Sequence, residues 1–245
     1  LSASGSDSFT VSASDGSLSG TNTLSVNFTG ANDAPTVSAP ASFTVTEDVA
    51  GNLTFTGTPF ADVDSASLTV TLSIADGSIA ATTGGSVTVG GTAIARTFSG
   101  TPAALNTFFT TAGNITYTTA SNNTSSRTLT VQVSDGSLSA STTSTVNITA
   151  VNDAPTLTTS GAISTVNEDS NNTTAITLWS TTPAYGTGGG SDEASQTLSY
   201  KITSIPSFIS LFKNDGTTAV TANTTLTASE FSGLKYKTEI GRAHV

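Results

Sequence analysis

A long internal repeat constrains this chain more than any other feature. Ser14-Asp15-Gly16-Ser17-Leu18-Ser19 returns 120 residues later as Ser134-Asp135-Gly136-Ser137-Leu138-Ser139. Asn32-Asp33-Ala34-Pro35-Thr36 returns at the same offset as Asn152-Asp153-Ala154-Pro155-Thr156. The acidic pair Glu47-Asp48 then returns as Glu168-Asp169. The matched words contain the scarce Asp, Glu and Pro of a chain dominated by Ser and Thr, so composition alone does not account for them. A repeat of this length describes a tandem array of small domains, each burying its own core.

The repeat frames the organisation. Residues 1–31 are expected to be the closing hairpin of a preceding repeat, 32–151 one complete repeat, and 152–238 a third that stops short of its last hairpin. The final seven residues, Glu239 to Val245, break the Ser/Thr texture and hold the only His. They resemble the in-frame translation of a sequencing-adapter oligonucleotide and are set aside from fold reasoning. The chain does not begin with Met and opens on no signal peptide, so we expect a piece internal to a longer protein.

Within the full repeat, period-two alternation and β-branched enrichment predict strands at Ser42–Glu47, Asn52–Thr58, Ser67–Ile74, Ser86–Val89, Ala93–Phe98, Asn114–Thr119, Arg127–Ser134 and Ser139–Thr149. In Arg127–Ser134 one face carries Leu129, Val131 and Val133 and the other is polar, the pattern of a half-buried antiparallel strand. Asp15-Gly16, Asp76-Gly77, Asp135-Gly136 and Asp215-Gly216 read as turns, because Asp and Gly tolerate positive φ. One helix is expected after Thr101 as N-cap, with Pro102 in its first turn and Leu105, Phe108 and Phe109 facing inward. Short strands about ten residues apart give an all-β chain of tandem antiparallel β-sandwiches of Ig-like type, one complete and two truncated. Burial of their inner faces drives folding at about 25 cal/mol per Å². The aromatics Phe43, Phe55, Phe60, Phe98, Phe108, Phe109 and Tyr117 are expected in this core.

Charge and composition exclude several functions. Among 245 residues, 17 acids face 7 bases, a net charge of −10, so nucleic acid is not an expected partner. No Cys and a single His leave no thiol nucleophile, no Ser-His-Asp triad and no zinc site. No apolar run approaches the ~20 residues that span a bilayer, so no membrane insertion is expected in this segment. We expect no enzymatic activity.

The acids gather at the repeat boundaries. Around the first lie Asn32, Asp33, Glu47, Asp48, Asp62 and Asp64, and around the second Asn152, Asp153, Glu168, Asp169, Asp192 and Glu193. Carboxylates held together without a cation repel, and hard oxygen donors in this number suit Ca²⁺. Turn capping by Asp33 and Asp153 and a solvated loop at Asp62 and Asp64 are the alternatives. Turn formation alone explains Asp15, Asp76, Asp135 and Asp215.

Asn-Asp-Ala-Pro at the boundary, an acidic pair a strand later, Asp62-Val63-Asp64 and the closing strand-Asp-Gly-strand hairpin together resemble cadherin-like repeats. The closest resemblance is to the tandem repeats of giant bacterial surface and adhesin proteins of VCBS and RTX-adhesin type. It covers nearly all of the chain except its last residues. It implies Ca²⁺ at the joints between sandwiches, stiffening a rod. The implied ligands are Asn32, Asp33, Asp62 and Asp64 at the first joint and Asn152, Asp153 and Asp192 at the second. Glu47 would serve the second joint from the far end of its own domain, and Glu168 a third joint. Departures from the family pattern are the absence of an acid before each Asn-Asp and of a second Asp in Asp192-Glu193-Ala194. They imply fewer or weaker ions, with affinities of about 10⁻⁴–10⁻³ M as in extracellular modules. The resemblance implies an extracellular, cell-surface address, with neighbouring repeats as internal partners and a cell-surface protein or glycan as external partner. A carbohydrate-binding or spacer module of a secreted enzyme is the alternative.

Overall fold

A computed structural model describes residues 4–166 and 174–238. The chain divides into two units, Leu1–Val151 and Asn152–Val245, each taken here by itself.

Unit 1 begins with a hairpin, β1 (Gly5–Ser14) against β2 (Ser19–Phe28), antiparallel from Gly5↔Phe28 to Ser14↔Ser19. Cross-strand partners share a face, so Phe9, Val11, Leu24, Val26 and Phe28 lie on one side and only Ser, Thr and Asn on the other. The turn is closed by the Asp15 carboxylate, which accepts the amides of Ser17 and Leu18 at 2.9 and 2.8 Å.

The remainder of unit 1 contains β3 (Thr36–Val37), β4 (Ser42–Thr46), β5 (Gly51–Asn52), β6 (Phe60–Ala61), β7 (Leu68–Ser73), β8 (Ser78–Ala81), β9 (Thr88–Gly91), β10 (Ala95–Gly100), α1 (Pro102–Thr110), β11 (Ile115–Thr118), β12 (Arg127–Ser134) and β13 (Ser139–Thr149). One sheet runs β4-β13-β12-β7-β10-β9, a second β5-β11-β8, and β3 pairs with β6. Their facing residues form one cluster: Val70, Leu72, Phe98, Leu129, Val131, Val133 and Val146 from the larger sheet, Ile79, Ile115 and Tyr117 from the smaller. This is a β-sandwich, and its inward residues follow the alternation of the sequence. One pairing departs from the antiparallel expectation. β4 runs parallel to β13, Ser42↔Thr145 to Thr46↔Thr149.

α1 starts as expected, with the Thr101 hydroxyl accepting the Ala104 amide and Pro102 in the first turn. Leu105, Phe108 and Phe109 are buried on it. Phe109 packs edge-on against Phe55, Phe60 and Phe98 at centroid distances of 5.1, 4.8 and 4.8 Å. This packing shortens the strand expected over Asn52–Thr58, of which only Gly51–Asn52 is strand. Beyond it the Phe55 amide donates to the Phe109 carbonyl of the helix, and so is drawn out of the β-ladder.

Unit 2 contains β14 (Thr156–Thr159), β15 (Ala162–Ile163), β16 (Ile176–Thr177), β17 (Trp179–Thr181), β18 (Ala184–Gly186), a 3-10 turn (Glu193–Ser195), β19 (Tyr200–Lys201), β20 (Ile209–Phe212), β21 (Ala219–Val220), β22 (Thr225–Leu226), α2 (Ala228–Ser232) and β23 (Lys235–Thr238). It follows unit 1 in part. β14 pairs β18 as β3 pairs β6, β16-β23-β20 matches β5-β11-β8, and β19 pairs β22 as β7 pairs β10. Thr227 caps α2 with a full capping box: its hydroxyl accepts the Glu230 amide and the Glu230 carboxylate accepts its amide. A smaller core of Leu178, Leu211, Val220, Leu226, Phe231, Leu234 and Tyr236 results. The final segment, Glu239 to Val245, lies outside the described residues.

Candidate metal centres

In unit 1 three segments distant in sequence bring acids together. The segment before β3 supplies Asn32 and Asp33, the β6–β7 loop supplies Asp62 and Asp64, and the β12–β13 turn supplies Asp135. Asp62 Oδ1 accepts the amides of Asp64 and Ser65 at 3.0 and 2.8 Å, a side-chain-to-backbone turn that curls the loop. Asp64 Oδ2 accepts the Asp33 amide at 3.0 Å. Asn32 Nδ2 donates to Asp135 Oδ2 at 2.7 Å. The second oxygens, Asp62 Oδ2 and Asp64 Oδ1, are buried and have no hydrogen-bond partner among the described residues.

Electrostatics follows this geometry. The Asp64 amide, then the Ser65 amide, hold Asp62 below its ordinary value against burial and the charge of Asp135. Asp64 is pushed up. The Asp33 amide lowers it, but the Asp62 carboxyl, burial and the charges of Asp62 and Asp33 outweigh that donor. Asp135 is lowered, first by Asn32 and then by the Leu138 and Ser137 amides of its turn. Among the described residues no ion pair offsets these charges. Among the described residues the ion pairs are Arg127–Asp76 and Lys213–Glu230, and neither involves a member of this group.

Unit 2 repeats the arrangement with different residues. The Asp153 amide donates to Glu193 Oε1 at 3.3 Å, and Gln196 Nε2 donates to Asn152 Oδ1 at 2.7 Å. Glu193 is 1% exposed, and its Oε2, like Asp192 Oδ1, is buried without a hydrogen-bond partner. Burial first, then the Asp192 carboxyl, raises Glu193. The second carboxylate missing from the expected Asp-x-Asp pattern is therefore provided by Glu193, whose longer side chain reaches the amide that Asp64 takes in unit 1. Gly189 lines this group. A Cβ there would fall 2.0 Å from Asp153 Oδ2 and 2.7 Å from Glu193 Oε2, so only Gly leaves the space between them open.

Glu47 and Asp48 sit elsewhere in unit 1. The parallel register puts Thr46 beside Thr149, at the opposite end of β13 from Asp135. Glu47 is 2% exposed, its Oε2 accepts the Val151 amide at 3.2 Å, and its Oε1 is buried without a partner. Asp48, at φ 55°, accepts the Asn122 amide at 3.2 Å and donates its own amide to the Thr119 hydroxyl at 2.9 Å. Glu168 and Asp169 lie outside the described residues.

In the sequence Asp135 reads only as a turn residue, and Glu193 stands among the boundary acids but not among the implied ligands. Asp135 had a sufficient reason to exist as a turn residue. Its twin Asp15 makes the same turn bonds, and only the strand order of the sandwich separates their roles. Glu193 differed in residue type and spacing from its counterpart; its position one residue after Asp192 was the available signal. Phe43, Phe55, Phe60, Phe98, Phe108, Phe109 and Tyr117 are in the core of unit 1, as expected. The Trp179 indole donates to the Phe231 carbonyl at 2.8 Å and packs on its ring.

No family model matches the chain, and no curated protein sequence matches it. Among solved structures, it is similar to an endo-fucoidan hydrolase of glycoside hydrolase family 107, at 20% identity and a TM-score of 0.27, covering 61% of this chain and 19% of that one. It is similar to mouse protocadherin-24 EC1-3 at 15% identity and a TM-score of 0.31, covering 97% of this chain and 67% of that one. An I-band fragment of titin gives 9% identity and a TM-score of 0.28, covering 98% and 66%. The chain thus spans about a fifth of the hydrolase and about two thirds of the repeat proteins. At these values the likenesses carry no argument about function.

Proposed function

We propose that this segment is a calcium-binding structural and adhesive repeat module of a large extracellular surface protein, of the bacterial adhesin kind that its motifs resemble, and that it has no catalytic role. The observation that carries the reading is the pair of buried, unpartnered carboxylate oxygens at the start of each repeat: Asp62 Oδ2 with Asp64 Oδ1, and Asp192 Oδ1 with Glu193 Oε2. An ionised oxygen out of reach of water and of any donor is costly. Two such oxygens recurring on non-identical residues at matching places argue for a shared reason.

The donor set fits a hard divalent cation: carboxylates, amide oxygens, no thiolate and no imidazole. Asn32, Asp33, Asp62 and Asp64, with Asp135 behind Asn32, would hold it in unit 1, and Asn152, Asp153, Asp192 and Glu193 in unit 2. A bound Ca²⁺ supplies positive charge to carboxylates that repel one another. The chain's own part is positional. The Asp62 turn curls its loop, the Asp33 and Asp153 amides orient Asp64 and Glu193, and Asp135 fixes Asn32. Because these groups join the first residues of each repeat to a loop within it, ion binding there resists bending at the repeat's leading end. In the parent protein, neighbouring repeats are the internal partners and a cell-surface protein or glycan the external one.

Calorimetric titration with CaCl₂, and thermal melting with and without chelator, test the reading. A ligand that binds only the folded state stabilises it by about 2.7 kcal/mol at a hundredfold excess over Kd. Saturable binding and a rise in melting temperature are expected. An unchanged melt at ~100 mM Ca²⁺, a hundredfold above the weakest affinity expected, removes the ion from the account.

A further inference from the structure

The outer face of one sheet differs between the two units. In β5-β11-β8 of unit 1 the Leu53 amide donates to the Ile115 carbonyl, and Tyr117 stands buried opposite Ile79. In β16-β23-β20 of unit 2 the Leu178 amide donates to the Leu234 carbonyl, and Tyr236 stands buried opposite Leu211. These matches fix the register between the repeats. Lys235 and Lys237 take the positions of Thr116 and Thr118, and Phe212 that of Ala80. Cross-strand partners share a face. The side away from the core therefore carries Thr116, Thr118 and Ala80 in unit 1, and Lys235, Lys237 and Phe212 in unit 2.

Folding does not call for that change, because unit 1 builds the same strands with two hydroxyls and a methyl group there. Ala80 is exposed in unit 1, whose closing hairpin is present, so this face is not one that the hairpin covers. Phe212 stands outside the unit 2 core and is partly exposed, while its neighbour Leu211 fills the inward side of β20.

Charge is concentrated on this face. The chain has a net charge of −10 and four lysines, all of them in unit 2. Lys213 pairs with Glu230 at 2.6 Å, but among the described residues Lys235 and Lys237 form no ion pair. Lys237 Nζ lies 5.0 Å from the Phe212 ring centroid. The β20–β21 turn passes beside Lys235, where a Cβ on Gly216 would fall 3.7 Å from its Cδ. The carboxylate of that turn, Asp215, is taken by the amides of Thr217 and Thr218.

We propose that this face of unit 2 binds an acidic polysaccharide, with Lys235 and Lys237 taking its carboxylate or sulfate groups and Phe212 the C–H face of a sugar ring. Alternate residues of a strand lie about 7 Å apart, so the two ammonium groups can meet separate anionic groups along one polymer. Each is a compact charge with three donors, and the phenyl ring between them offers apolar area without a polar group to desolvate. Nucleic acid is the poorer occupant, since it calls for clustered Lys and Arg against closely spaced phosphates. A polysaccharide spaces its charges by whole sugar rings and meets less repulsion from an acidic chain. The inference rests on the adhesive part of the proposed function, whose glycan it assigns to a class, and does not involve the cation.

Binding is measured on the full chain in chelator at low ionic strength, so the candidate metal centres take no part. Dextran sulfate and polygalacturonate are the sulfate and carboxylate probes, dextran the neutral control and a single-stranded oligodeoxynucleotide the phosphate control. Saturable binding to at least one acidic polysaccharide is expected, weakening as NaCl is added, with none to dextran. Lys235→Thr with Lys237→Thr places the unit 1 residues at these positions and should weaken binding by about tenfold or more, because charge-assisted hydrogen bonds are lost. Phe212→Ala, again the unit 1 residue, should weaken it by a smaller factor. Lys201→Gln removes a charge from β19 in another sheet and should change nothing. An unmoved Trp179 fluorescence melt checks the fold of each variant. Absence of binding to both acidic polysaccharides overturns the proposal. So does an equal loss in the Lys201→Gln chain, or equal binding of dextran or of the oligonucleotide. The Ca²⁺ melt is read separately, so either reading can fail while the other stands.

Discussion

The backbone amide of Asp33 donates to Asp64 Oδ2 at 3.0 Å, which ties the segment before the sandwich to the β6–β7 loop and leaves Asp64 Oδ1 buried without a donor. Asp64 is raised above its ordinary value of 3.8, so the fold binds this proton more readily than the unfolded chain does. Without cation, stability should therefore fall as pH rises from about that ordinary value through the raised folded value. Asp64→Asn keeps an oxygen for the Asp33 amide and removes the charge. It should flatten that part of the pH profile, raise the melting temperature in chelator, and weaken Ca²⁺ binding by about tenfold or more, because ligand charge sets affinity. Melting from acid to neutral pH, with chelator and with Ca²⁺, reads both effects.

Asp135 and Asp15 make the same turn, and only Asp135 also accepts Asn32, at 2.7 Å. Asp135→Ala should lower Ca²⁺ affinity, whereas Asp15→Ala should leave it unchanged although it loses equivalent turn bonds. Equal effects of the two in a calorimetric titration would reduce Asp135 to a turn residue.

Gly189→Ala places a methyl group against Asp153 Oδ2 and Glu193 Oε2. It should remove the unit 2 site while leaving the unit 1 site intact, so that binding stoichiometry drops by one ion. Glu193→Gln should weaken the same site without that steric clash. Unchanged stoichiometry in both variants would place any bound ion elsewhere.

Lys213, first of all, and the Thr227 amide hold Glu230 at about 2, well below its ordinary 4.5. A lowered carboxyl stabilises the fold above its unfolded value and loses that contribution as pH falls through the folded one. Unit 2 should therefore lose stability between about pH 4.5 and 2. Glu230→Gln should remove that part of the profile, as monitored by the Trp179 fluorescence melt.

Phe109 is fully buried against three other rings. Phe109→Ala should cost unit 1 about 3–5 kcal/mol in denaturant unfolding, with the unit 2 transition unmoved.

Most strands were legible, because alternation such as Leu129, Val131, Val133 depends only on the period of extended backbone. The Thr101 cap and the Asp-Gly turns were legible for a similar reason, since their bonds close within a few residues. Asn52–Thr58 was misread. Its β-branched composition suits a strand, but Phe55 finds its backbone partner on a helix more than fifty residues away. The Asn-Asp and Asp62-Val63-Asp64 acids were legible as a group. Asp135 was not, because it is locally indistinguishable from Asp15.

The sequence by itself determined the repeat, the inward and outward faces of its strands, the turns, and an acid-rich boundary with no balancing base. These are matters of spacing and residue type along the chain. The tertiary structure alone decided that β4 runs parallel to β13, that Glu193 takes in unit 2 the amide Asp64 takes in unit 1, and that Asp135 meets Asn32. Each depends on which loops a closed sandwich brings together and where their side-chain oxygens then point, and chain order does not carry that information.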